Sequence, residues 1–210
     1  MDTLAEIGHE AAELIPQVRH LMEQDPEYGN RVFAARTLAD LGDAEAGFSF
    51  LLSEVKNWNQ RLLAQDDPTH ESNWAIAAID RCHVRDHPAA IDVLLETLEH
   101  PIARRRSSAI EALASHSHTP RVQAAFRKML QDKAYEENYF HLADALGRWG
   151  SQFRLEEEDF VVALLEKRLA ETDEERKLGI GNGLGRIQTR RIMDSIREQQ
   201  SKMSKVTGSR

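Results

Sequence analysis

ARTLADLGDAEAGFSFLL, residues 35–52, is the stretch on which the fold turns. Ala35, Leu38 and Leu41 stand three apart, which puts them on one stripe of a helix. Gly42 then supplies the left-handed residue with which helices commonly end. Asp43 can cap a second helix, whose Phe48, Leu51, Leu52 and Val55 again follow helical spacing. The figure is therefore helix, stop, helix. A small residue lets the neighbouring helix come close, and two larger apolar residues fill the seam.

The same figure recurs along the chain. Ala143, Leu146, Trp149 and Gly150 form the second clear copy, and Ser107, Ile110 and Leu113 a weaker one. In Ile76, Ile79 and Cys82 the small residue, Ala75, lies one step off. Leu4, Ile7 and Gly8 open the series, and Gly181, Leu184 and Ile187 close it. Measured at Ile7, Leu41, Cys82, Leu113, Trp149 and Ile187, the spacings are 34, 41, 31, 36 and 38 residues. Start signals precede several second helices: Asp86 or His87 before Pro88, and Thr119 before Pro120. Those helices would turn Ile91, Leu94, Leu95 and Leu98, and Val122, Phe126, Met129 and Leu130, inward. Phe160, Leu164, Leu165 and Leu169 mark the next second helix, and Ile192 and Ile196 the last. In the first pair Leu14, Val18 and Leu21 face inward, and Pro16 predicts a kink or a late helix start.

A period of roughly 34 to 47 residues per helical pair is that of TPR and HEAT arrays. The Trp and Tyr pattern of TPR is absent. ARTLADLGDAEAGFSFLL and IGHEAAELIPQVRHLM (residues 7–22) resemble the bacterial HEAT-like repeats first described in phycobilisome lyases. The resemblance runs over most of residues 3–200 and is closest in 1–25 and 30–55. It implies an all-α fold, a right-handed α-solenoid of about five to six helical pairs in one domain over residues 1–200. Two stretches depart from the period. KNWNQRLLAQDDPTHES, 56–72, reads as an insertion with a turn at Asp66-Asp67-Pro68. SKMSKVTGSR, 201–210, is polar, basic and aperiodic, and is expected to be disordered.

Composition narrows the function classes. The 210 residues carry a net charge of −8, which argues against a general nucleic-acid or anionic-membrane surface. No apolar run is long enough to span a bilayer, and the N-terminus lacks the basic and apolar regions of a secretory signal. A single cysteine, Cys82, excludes an intrachain disulfide and a thiolate metal cluster. A cytoplasmic protein is expected.

In HEAT-like solenoids the second helix of each pair lines the concave surface, so the resemblance gives weight to the charges there. Asp92, Glu96 and Glu99 occur in 86–99, a stretch without Lys or Arg, and Asp159 and Glu166 belong to an acid-rich 156–171. Two readings stand: an ordinary solvated helix face, or an acidic wall that attracts a basic partner protein. Residues 101–133 break the trend with a net +5. Arg104, Arg105, Arg106 and Arg121 are the candidates there for holding an anion. Adjacent residues on a helix lie about 100° apart, so only part of the Arg104–Arg106 run can point one way.

Chemistry is poorly supported. His83 and His87 are four apart, but Pro88 places a helix boundary between them, and His116 and His118 fall in a loop without a completing carboxylate. Deoxyhypusine hydroxylase, a HEAT-like di-iron enzyme, uses several His-Glu dyads on successive repeats. Here only His9-Glu10 and His70-Glu71 occur, at non-equivalent places. GIGNGLG, 179–185, lacks the Lys-Ser/Thr ending of a phosphate loop, so its glycines read as close-packing positions in a locally weak helix. No metal, cofactor or catalytic residue is assigned. The expectation is a non-catalytic adaptor or inhibitor that binds another protein, with Trp58 and Trp74 as aromatic anchors. An immunity protein that blocks a basic toxin is one version, by analogy of fold and charge. A nucleic-acid binder or HEAT-like DNA glycosylase using the basic patch at 104–128 is one alternative. A lyase or chaperone of the phycobilisome type is another.

Overall fold

In the computed structural model the described residues are 13–41, 43–60, 71–82, 86–116, 119–148 and 157–207. The capping glycines Gly8, Gly42 and Gly150, together with Trp149, His83, His118 and both His-Glu dyads, fall wholly or partly outside them, as does 61–70 of the insertion. All regular structure among the described residues is helical. The chain divides into two compact units, Met1–Leu113 and Ala114–Arg210.

The first unit contains α1 (Ile15–Gln24), α2 (Tyr28–Leu41), α3 (Ala44–Gln60), α4 (Trp74–Arg81), α5 (Pro88–Thr97) and α6 (Ala103–Leu113). Pro16 stands in the first turn of α1, so the late start is what the proline imposes. Val18 and Met22, four apart, are the buried residues of α1, whereas Leu14 and Leu21, expected inward, are each more than a third exposed. Asp43, the expected cap of α3, forms an ion pair with Arg19. The close approach expected at Ala35 has its counterpart on α3: a Cβ on Gly47 would run into the Ala35 carbonyl oxygen and stand 3.0 Å from Leu38 Cβ. The insertion begins inside α3, which continues to Gln60.

Packing in this unit alternates. Each helix meets its successor, and α2 also packs on α4, α4 on α6, and α3 on α5. Leu38, Ile79 and Ile110 are fully buried at the corresponding point of α2, α4 and α6, as their common place in the figure requires.

The second unit contains α7 (Pro120–Gln131), α8 (Tyr139–Arg148), α9 (Glu157–Ala170) and α10 (Glu174–Thr207). Here too alternate helices pack, α7 on α9 and α8 on α10. Leu146 on α8 is buried. On α10 the buried stripe is Ile180, Gly183 and Ile187, so Leu184 is only partly covered. Gly183 sets that register, because its Cα lies against the Ala143 backbone and an added Cβ would stand 2.7 Å from Ala143 Cβ. Gly179 meets Phe140 and Gly147 meets Arg186 in the same seam, with Arg186 also paired to Asp144.

Two expectations fail in this unit. Gly181–Ile187 and Ile192–Ile196 do not form two helices, since α10 is continuous over 34 residues and carries Ser201–Thr207 as its last turns. Close packing on α8 holds the glycine stretch in a helix that propensity alone would weaken. On α9, Leu164 is buried but Leu165 and Leu169 are exposed. That helix is apolar on nearly every side, so periodicity could not choose its inner face.

Candidate functional site

α5 is built to hold an acidic face. His87 is extended at the N-cap and its Nδ1 accepts from the Ala89 N–H at 3.2 Å, while Pro88 opens the helix. Ala90, Val93, Leu94, Thr97 and Leu98 are buried on one side. Asp92, Glu96 and Glu99, spaced four and three apart, are exposed on the other. Two of these carboxylates lie at the C-terminal end, where the helix dipole disfavours negative charge by about 0.3–1 kcal/mol. Helix stability therefore does not account for them. Glu166 is exposed on α9; Asp159 is in the same helix, but its side chain lies outside the described ones.

The arginine run does not form one cationic surface. Arg104 is exposed, but Arg105 and Arg106 are only 2% and 6% exposed. Arg106 Nη1 donates to the carbonyls of His100 and Pro101, both at 2.8 Å, closing the chain after α5. Arg105 Nη2 donates to Asn59 Oδ1 at 2.8 Å. Asn59 Nδ2 in turn donates to Thr97 Oγ1 at 2.9 Å, and Thr97 donates to the Val93 carbonyl at 2.7 Å. The guanidinium thus ties α3, α5 and α6 together. The reading of Arg105 and Arg106 as anion ligands is corrected accordingly: burial spends their donors on the fold. Arg121 is exposed on α7, in the other unit.

His100 sits beside this network, 5% exposed, with Nδ1 accepting from the Ile102 N–H at 3.2 Å. Burial, and then the charges of Arg105 and Arg106, lower its pKa to about 4. The imidazole is neutral at ordinary pH.

Trp58 and Trp74 are brought together through Tyr28. Trp58 Nε1 donates to the Tyr28 hydroxyl at 3.1 Å, with the rings edge to face at 6.2 Å. Trp74 stacks on the other side at 6.1 Å, 17° from parallel, and remains 39% exposed. Gly29 makes this possible, since a Cβ there would stand 2.5 Å from the indole. Burial, opposed by the Trp58 hydrogen bond and supported by Glu54, holds the Tyr28 phenol protonated well above its usual range. Tyr28, Asn59 and Thr97 carry no motif. Their only signal in the sequence is a polar residue at an inward helical position.

The second unit holds a cleft of about 510 Å³, lined by the end of α7, the turn after it, the start of α8, and the α9–α10 connection. Tyr139 forms part of its wall. Its hydroxyl donates to the Asp132 carbonyl at 3.0 Å, and Lys167 Nζ lies 5.0 Å from its ring centroid. Burial, then Glu136 and Asp132, raise its pKa. The cleft combines residues more than forty positions apart, and the sequence reading did not find it.

No helix among the described residues is long and apolar enough to cross a membrane. No protein-family model matches the chain, and neither a curated protein nor a solved structure resembles it.

Proposed function

We propose that this chain is a non-catalytic protein-binding scaffold, an adaptor or inhibitor, that holds a basic partner against α5. The observation that carries the reading is the exposed Asp92–Glu96–Glu99 stripe, placed where it costs the helix stability. In this reading the helices stack as a right-handed HEAT-like α-solenoid. The alternation of α2, α4 and α6 in one layer with α3 and α5 in the other supports that arrangement. α5 then belongs to the layer that faces the partner. Carboxylates there steer a basic protein and speed its approach, and Trp74, partly exposed, adds an aromatic contact.

The test is affinity capture from native lysate, followed by measurement of the captured partner against Asp92→Lys/Glu96→Lys/Glu99→Lys. Loss of roughly tenfold or more in affinity, mostly in the association rate and shrinking as salt rises, is expected. Unchanged affinity in the triple variant would overturn the assignment.

A further inference from the structure

We propose that the cleft of the second unit binds a small phosphate-bearing anion. Its volume, about 510 Å³, lies within the roughly 300–1,000 Å³ that small-ligand sites occupy. Lys133, Lys167 and Arg176 line it together with Glu136, Glu171 and Asp173. By charge count alone the two signs cancel, so the disposition of each group decides the chemistry.

Two of the carboxylates are committed to the backbone. Glu171 Oε1 accepts from the N–H groups of Thr172 and Asp173, each at 2.9 Å. Asp173 Oδ1 accepts from the Arg176 N–H at 2.9 Å and so caps α10. The cations are not committed in this way. Neither Lys133 nor Lys167 is in an ion pair among the described residues. The Lys167 ammonium rests over the Tyr139 ring, which holds it at the wall without cancelling its charge. Tyr139 is itself fixed by its bond to the Asp132 carbonyl. Arg176 reaches Glu137 only at 3.8 Å, with both side chains partly in solvent, which leaves its fork of donors available.

Two ammonium groups and a guanidinium thus converge on one polar recess. The first turn of the 34-residue α10 opens on the same recess and adds the partial positive charge of a helix start. Arg matches phosphate oxygens in pairs, and Lys serves phosphate as a point charge. A cationic ligand would meet the same ammonium groups as repulsion.

Isothermal titration of the full chain with inorganic pyrophosphate at low ionic strength tests this. One site is expected. Lys133→Ala/Lys167→Ala should weaken it roughly tenfold or more while leaving the melting curve unchanged, because neither lysine carries the fold. Arg104→Ala, in the other unit, should leave binding intact. Citrate at matched ionic strength should bind roughly tenfold more weakly, since its carboxylates fit the recess without the phosphate geometry. Absence of saturable pyrophosphate binding, equal affinity in the double variant, or equal affinity for citrate would each overturn the proposal.

Discussion

His100 shows how one residue can be reached by the fold and missed by the sequence. It follows α5 as an unremarkable loop histidine, yet Arg106 closes the chain over it and Arg105 lies behind it. Its folded pKa, about 4, is below the ordinary histidine value of 6.5. Between those values the unfolded chain binds the proton and the folded chain does not. Its contribution to stability is therefore complete above about pH 6.5 and falls as the pH drops toward 4. His100→Gln should flatten the stability–pH curve in that window relative to the parent, as read from urea midpoints at several pH values. An identical slope in both proteins would show that the histidine is not what titrates. Arg105 and Arg106 were legible as cations but not as buried ones, because their partners, Asn59 and the His100 carbonyl, come together only in three dimensions.

At the scale of the element, spacing was a good guide wherever one face differed from the rest. Ala35, Leu38 and Leu41, and Ile76, Ile79 and Cys82, are all buried as the three-residue stripe implies. The guide failed on α9, where apolar residues surround the axis, and on α10, where a glycine rather than a leucine is set into the seam. The contrast within α10 is testable. Gly183 lies against the Ala143 backbone, so Gly183→Ala should destabilise the protein by about 1–3 kcal/mol through overpacking. Gly185 has nothing within 4 Å, so Gly185→Ala should stabilise it by up to about 1 kcal/mol, the helix propensity gain alone. Chemical denaturation of the two variants reads both signs, and a shared sign would contradict the packing described for this seam.

For the whole molecule, composition and repeat spacing were sufficient for an all-helical chain but could not locate the division into two compact units. That division depends on where contacts thin out, and the last first-unit residue, Leu113, was read as an ordinary repeat position. Each unit buries its own apolar residues, from Val18 to Leu113 in one and from Val122 to Ile187 in the other. A fragment ending at Leu113 should therefore melt cooperatively with a helical circular-dichroism spectrum. A broad, non-cooperative transition would mean that its core is insufficient without the remainder.

Four glycines within seven residues cost α10 on the order of 3–4 kcal/mol of intrinsic helix tendency, which the seam against α8 must offset. The long final helix is thus conditional. Its middle borrows its order from Tyr139–Arg148, so backbone amides in both segments should open to hydrogen exchange as a single event rather than fraying separately from their ends.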